Sequence, residues 1–421
     1  MRTVAWVALA IVLVGGGPGP AAAQFSRTCN PVLQSAGEGR HYDMGDGRVH
    51  QFLRGGVIIR CAGQNTVIRS DSLAWYPELD RLEFVGSVRF QDSVTVLDAT
   101  SARYFPSNER LEALGDVRLE DTRSGSILTG PQLTYYREAA GLRDTAELFA
   151  TRRPRVEYRS RTRPSEVAYV IRGERVRLRG ADQAWAGGDV TIDRDDFAAH
   201  ADSAALDLGG AGGVLVGKAE ASGTDSAGYT IRGRRIAFGL VDDALTWVQA
   251  QGEAEATSAD WHAIGDTITF DIDNDKIQGG ALWGSATRAQ AMSAEQTIQG
   301  DSLALDAPDQ VLTEVRAFGR TRATTMVDSV ADIEDWLEGD SLVARFDEFE
   351  TGERGLVQLR ARGNARSLYH VYPDGVDDPP AINYSRGRQI TAYFTAGTLE
   401  RVDIVDKADG VYLEPIVRRR P

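Results

Sequence analysis

A short phrase, glycine-aspartate followed by an alternating apolar pair, returns about ten times along this chain, and recurrence of that kind restricts the fold more than any single motif does. It is clearest in the segments Gly265-Asp266-Thr267-Ile268-Thr269-Phe270, Gly300-Asp301-Ser302-Leu303-Ala304-Leu305 and Gly339-Asp340-Ser341-Leu342-Val343-Ala344. Degraded copies begin at Ser70, Ala99, Gly130, Gly173, Ala201, Gly233 and Gly387. A second glycine phrase falls between them, as Gly86-Ser87-Val88, Gly115-Asp116-Val117, Gly188-Asp189-Val190, Gly252-Glu253-Ala254, Gly284-Ser285-Ala286, Gly319-Arg320-Thr321 and Gly363-Asn364-Ala365. A period of roughly 30 residues marks a stacked array in which each unit buries its apolar face on its neighbours. Such an array presents a long surface or trough and seldom a single catalytic pocket.

Between the glycines the pattern is that of β-strands. Val57, Ile59 and Cys61 share one face, Leu82, Phe84, Val88 and Phe90 continue it, and Leu73 and Trp75 follow Val67 after a step in register. Alternation over short segments bounded by Gly, Asp and Asn reads as half-buried antiparallel strands. Turn chemistry fills the gaps at Tyr76-Pro77-Glu78-Leu79-Asp80, Phe105-Pro106-Ser107-Asn108 and Asp271-Ile272-Asp273-Asn274-Asp275. Val330 to Trp336 is the one segment expected as a short helix or lid. The expected fold is all-β, an elongated array of repeated antiparallel strands. Residues 24–50 are polar and lack a period, which predicts a leader or adapter. Repeats then fill 51–150 and 171–400, an arginine-rich join spans 151–170, and 401–421 form a C-terminal tail.

The beginning of the chain points to a compartment. Arg2 precedes an apolar run from Val4 to Val14, Gly15 to Pro20 break it, and Ala21-Ala22-Ala23 offers a cleavage site before Gln24. This predicts a signal peptide over residues 1–23 and an exported, periplasmic mature chain. Cys29 and Cys61 either pair in an oxidising compartment, tying the leader to the first repeat, or remain two free thiols.

Little in the chain points to catalysis or to a cofactor. His41, His50, His200, His262 and His370 are scattered without the spacing of a zinc helix. Asp271, Asp273 and Asp275 mimic the start of a calcium loop, but Lys276 and Leu282 occupy the positions of its glycine and bidentate glutamate, so a hairpin turn is expected. The chain is read as a non-enzyme without metal. A net charge of −14 argues against nucleic acid as a partner. The arginines at 152, 153, 155, 159, 161 and 163 are read as a solvated edge that blocks strand pairing, with a phosphate clamp as the alternative.

The alternation of "Gly-Asp-x-Leu-x-Leu" with "x-Gly-x-Val-x-Val", strongest over Ser70 to Glu120 and Gly265 to Thr321, resembles the OstA-like family of lipopolysaccharide-transport proteins, to which LptA, LptC and the N-terminal part of LptD belong. The resemblance covers roughly Gln51 to Tyr393. It implies an open β-jellyroll, a V-shaped trough whose apolar inner face shields acyl chains of lipopolysaccharide or another acylated envelope lipid on the way to the outer membrane. It also implies partners of the same β-jellyroll type in the inner and outer membranes, and end-to-end homo-oligomers. The stripe expected to line the trough comprises Leu73, Trp75, Phe84, Val88, Tyr135, Val176, Leu178, Ile236, Phe238, Ile268, Phe270, Leu303, Leu305 and Leu342. Whether side chains fill that interior or leave it open is not a property of the period. A filled structural or interaction array is the alternative.

Overall fold

A computed structural model describes residues 28–159, 167–180, 182–195, 197–207, 212–223, 228–241, 244–258, 261–274, 276–285, 288–293, 296–328, 333–349, 354–371, 380–395 and 398–415. Residues 1–23, expected as a signal peptide, and Arg161, Arg163 and Asp275 lie outside the described residues. The fold is all-β, with 28 strands in one sheet among the described residues. It begins where β1 (Pro31–Ser35) and β2 (Glu38–Asp43) both pair antiparallel with β3 (Val49–Cys61). A meander follows through β4 (Val67–Tyr76), β5 (Arg81–Gln91), β6 (Thr95–Phe105), β7 (Arg110–Asp121) and β8 (Ile127–Tyr136).

At β8 the ladder divides. β9 (Glu147–Thr151) and β10 (Arg155–Tyr158) share its length, pass to β12 (Arg175–Arg179) and β11 (Tyr169–Arg172) respectively, and these rejoin on β13 (Gln183–Arg194). The meander resumes with β14 (Phe197–Asp207), β15 (Gly212–Gly223), β16 (Thr230–Val241), β17 (Ala244–Thr257) and β18 (His262–Asp273). It divides again over β19 (Lys276–Trp283), β20 (Ala289–Met292), β21 (Gln296–Gly300) and β22 (Ser302–Asp306). It rejoins on β23 (Glu314–Asp328) and continues through β24 (Ile333–Glu348), β25 (Arg354–Val371) and β26 (Ala381–Thr395). β27 (Thr398–Val405) and β28 (Asp409–Leu413) lie side by side along β26.

One device recurs in alternate long strands: a bulge near the middle. In β5 the register shifts between Val85 and Val88, where Gly86 and Ser87 both take left-handed backbone at φ +79° and +47°. Such an extra residue bends a strand and sharpens its twist. Each rung thus has two arms, a first arm such as Arg81–Val85 and a second arm such as Val88–Gln91. Arg152 and Arg153, also left-handed, turn the same corner between β9 and β10, so the divided rungs keep the plan. On the neighbouring strand the bend falls within the repeated phrase, where burial steps from Ser70 to Leu73 and from Gly265 to Ile268. Three residues separate those inward positions instead of two, which is the step in register seen in the apolar pattern.

The two arms face one another. Phe90 on the second arm meets Tyr135 on the first edge-on, with ring centroids 6.1 Å apart, and Trp261 meets Phe270 at 5.8 Å. Inward residues of both arms therefore build one continuous hydrophobic core from Leu53 to Ala392.

Several expectations are corrected. The residues assigned to a leader form β1 and β2, and those assigned to a C-terminal tail form much of β27 and all of β28. β1, β2 and β28 are exposed on nearly every residue and β27 is only partly buried, so no burial period marked them. Ile333 to Trp336 are strand, not helix, because Trp336 pairs with Thr324 on one side and Leu368 on the other; Val330 to Asp332 lie outside the described residues. Arg155 does not border a free edge, since β10 is paired on both sides, and the Arg159 backbone N–H donates to Ser126 Oγ at 3.0 Å.

Candidate functional site

The interior changes character along the array because the inward side chains change size. In the first rungs Phe84, Phe90, Tyr104, Leu82, Leu97 and Leu111 are fully buried and fill the space between the arms. From β13 to β15 the buried hydrophobic positions are Ala184, Ala186, Val190, Ile192, Ala199, Ala201, Ala204, Leu206, Leu215, Ala219 and Ala221, of which seven are alanine and none is aromatic. Alanine leaves room that leucine or phenylalanine would occupy. A cavity of about 270 Å³ lies there between the arms. The second arm contributes Tyr158, Tyr169, Ile171, Ile192, Phe197 and Ile231, and the first arm Leu215, Ile236, Phe238, Leu240, Leu245 and Val248. Its volume is close to the lower end of small-molecule pockets, roughly 300 to 1,000 Å³.

The mouth between the arms is treated differently in the two regions. Over the first rungs it is bolted. Arg137, at the end of the first arm of β8, reaches Asp92 beyond β5 at 3.3 Å, Glu109 at 2.9 Å and Gln64 at 3.1 Å. Tyr104 donates to Glu109 at 2.6 Å, and the hydroxyls of Thr95 and Tyr135 meet at 3.3 Å. The Cys29 backbone N–H also donates to Glu109, and Cys29 is disulfide-bonded to Cys61, which settles the open pairing in favour of a bridge. Glu109 is 1% exposed, so its charge is tolerable only because each oxygen is engaged. Burial, then the Asp92 charge, pushes the Tyr135 hydroxyl up to about 12, and burial together with Glu109 raises Tyr104 further. Around the cavity the mouth is instead rimmed by Tyr158, Tyr169, Phe197, Tyr229 and Arg194.

The fourteen residues of the expected stripe do not all reach this space. Leu73, Phe84, Val88, Tyr135, Val176, Ile236, Ile268, Phe270, Leu303 and Leu342 are buried, and Trp75, Leu178, Phe238 and Leu305 are half-buried against the same core. Of these, Ile236 and Phe238 line the cavity; the other twelve pack among side chains. Leu215, Leu240 and Ile192 were legible by the same alternation, and Arg194, Tyr158, Tyr169 and Tyr229 stand two residues from the buried Ile192, Val156, Ile171 and Ile231, where the alternation runs out to the rim.

The remaining candidates resolve simply. Asp271 and Asp273 belong to the β18–β19 hairpin, in which Ile272 pairs with Ile277 and Asp273 with Lys276. Among the described residues no three His, Cys, Asp or Glu side chains are grouped to hold a metal ion. His200, His262 and His370 each pair with one carboxylate, at 3.0, 2.7 and 2.8 Å. Arg153 bonds Glu174 at 2.6 Å and Asp189 at 3.1 Å on the outer surface.

In comparisons with known proteins, no family model matches the chain and no curated protein is matched by its sequence.

Proposed function

We propose that this chain is a lipid-binding protein of the cell envelope, exported to the periplasm, which shields acyl chains of lipopolysaccharide or another acylated envelope lipid between its two arms during passage to the outer membrane. The observation that carries this reading is the apolar cavity between the arms, lined by Leu215, Ile236, Phe238 and Ile192. Each acyl methylene moved from water into such a space contributes roughly 0.8 kcal/mol, so a chain is held without specific polar contacts. The Cys29–Cys61 bridge supports an oxidising compartment. Partners of the same strand type fit the two ends of the sheet. β28 leaves Val411, Tyr412 and Leu413 more than half exposed, and β2 leaves Tyr42 at 47%. Open strand ends of this kind are templates for added strands.

The filled first rungs favour a second reading for that part alone, in which they serve as a structural or docking segment and carry no lipid. A photo-crosslinking residue at Leu215, on the cavity wall, is expected to capture lipid in the cell, while the same probe at Val216, which points outward and is 45% exposed, is expected not to. Equal capture at both positions, or none at Leu215 in folded protein, would favour the structural reading for the whole chain.

A further inference from the structure

The cavity is apolar along its walls but not at its mouth. On β13 the inward series Val190 and Ile192 ends on Arg194, so the alternation that elsewhere places aliphatic side chains brings a guanidinium to the rim. Arg194 is the one cation among the described residues that line the space. Its Cζ stands 5.0 Å from the centroid of the Tyr169 ring, and its Nη1 donates to the Tyr169 hydroxyl at 2.8 Å. Tyr158, paired with Tyr169 across β10 and β11, and Tyr229 complete an aromatic and hydroxyl-bearing rim. The opposite arm supplies one carboxylate, Asp207.

We infer that the cavity selects a single-chain amphiphile with an anionic head group, a carboxylate or phosphate monoester, whose chain lies between the arms and whose head group sits on Arg194. This rests on the reading that the cavity takes an acyl chain, and it narrows that reading. Capacity sets the chain number. A cavity of about 150 Å³ accepts one benzene, so 270 Å³ holds on the order of ten carbon atoms, one chain of medium length. Charge sets the head group. A guanidinium offers paired donors to a carboxylate or phosphate, and its contact with the Tyr169 face holds that fork at the mouth.

Binding of dodecanoate, dodecyl phosphate and dodecanol to the full mature chain, measured by calorimetry, separates the terms. Dodecanoate and dodecyl phosphate are expected to bind about tenfold or more tightly than dodecanol, as one charge-assisted contact requires. Arg194→Met is expected to abolish that preference, and Arg194→Lys to retain much of it. Ala221→Phe, which fills the space, is expected to abolish binding of all three while circular dichroism reports an unchanged fold. Dodecanol bound as tightly as dodecanoate, or a preference that survives Arg194→Met, would overturn the assignment. If none of the three binds while the Leu215 probe still captures lipid from cells, the single-chain inference fails and the acyl-chain reading stands. If Leu215 captures nothing either, both fall.

Discussion

Asp340 lies beneath Gly363, on the neighbouring strand, at the place where any side chain on residue 363 would have to go. Gly363 holds φ at +73°, and Asn364 after it donates from Nδ2 to the Asp340 carboxylate at 3.1 Å. The same relation joins Asp71 to Gly86, Asp202 to Gly217 and Asp301 to Gly319, with Ser87 and Arg320 as donors in the first and last. Arg234 against Glu253 repeats it with charges reversed, at 3.8 Å. Two phrases that look like separate repeats in the sequence are therefore one corner, seen from adjacent strands.

Gly363→Ala is expected to destabilise the array by about 1 to 3 kcal/mol, because alanine pays for left-handed backbone and also meets the carboxylate. Asp340→Ala, which removes an exposed partner only, is expected to cost less than about 1 kcal/mol. Urea unfolding of the two variants checks the order. A Gly363→Ala variant as stable as the parent would mean that the corner tolerates a side chain and that steric exclusion is not what fixes the phrase.

Reducing the Cys29–Cys61 bridge, or replacing both cysteines by serine, releases a loop with a sequence separation of 32. Chain-entropy reasoning puts the loss at about 3 to 4 kcal/mol. Hydrogen exchange should show it first in β1 and in the Glu109 turn, which receives the Cys29 N–H. Protection that stayed unchanged there after reduction would show that the bridge does not hold the mouth.

Alkaline pH should loosen the first rungs. The Tyr135 hydroxyl is raised from 10.0 to about 12 in the folded state, so below pH 10 neither state ionises and its contribution is intact. Between pH 10 and 12 only the unfolded state releases the proton, and stability falls by about 2 to 3 kcal/mol. Tyr104 and Tyr369, also raised, act in the same direction. Thermal unfolding at pH 9 and pH 11 is expected to show a smaller drop for Tyr135→Phe than for the parent; an equal drop would assign the loss elsewhere.

Filled and open parts of the interior should answer differently to truncation. Phe84→Ala removes a fully buried ring from close packing and is expected to cost about 3 to 5 kcal/mol. Phe238→Ala, on the cavity wall and half-buried, removes fewer contacts and is expected to cost about 1 to 2 kcal/mol while enlarging the space. Equal losses, read by urea unfolding, would mean that the cavity wall is packed as tightly as the first rungs.

Alternation at Leu82, Phe84, Val88 and Phe90 was enough to place both arms of β5, and the Gly-Asp phrase marked each bend. What alternation does not encode is volume. Phe84 and Ala221 are both inward, and only the sum of side chains across the two arms decides that one region is full and the other hollow. The seven alanines among the buried positions from Ala184 to Ala221 were the available signal. β1, β2 and β28 escaped because both faces meet water, and the bolt between Arg137 and Asp92 escaped because it joins turns that no period relates.

The three-residue step at each bend governs how a chain like this can change length. Inserting one residue within an arm of β14 would exchange its inward and outward faces beyond that point and turn Ala199 or Ala204 toward solvent. Inserting residues at an outer hairpin, such as Pro77–Leu79, alters no parity. Growth or loss is therefore tolerated in whole hairpins and resisted in single residues. Deletions within strands should be purged, and homologues of different length should differ by multiples of a rung.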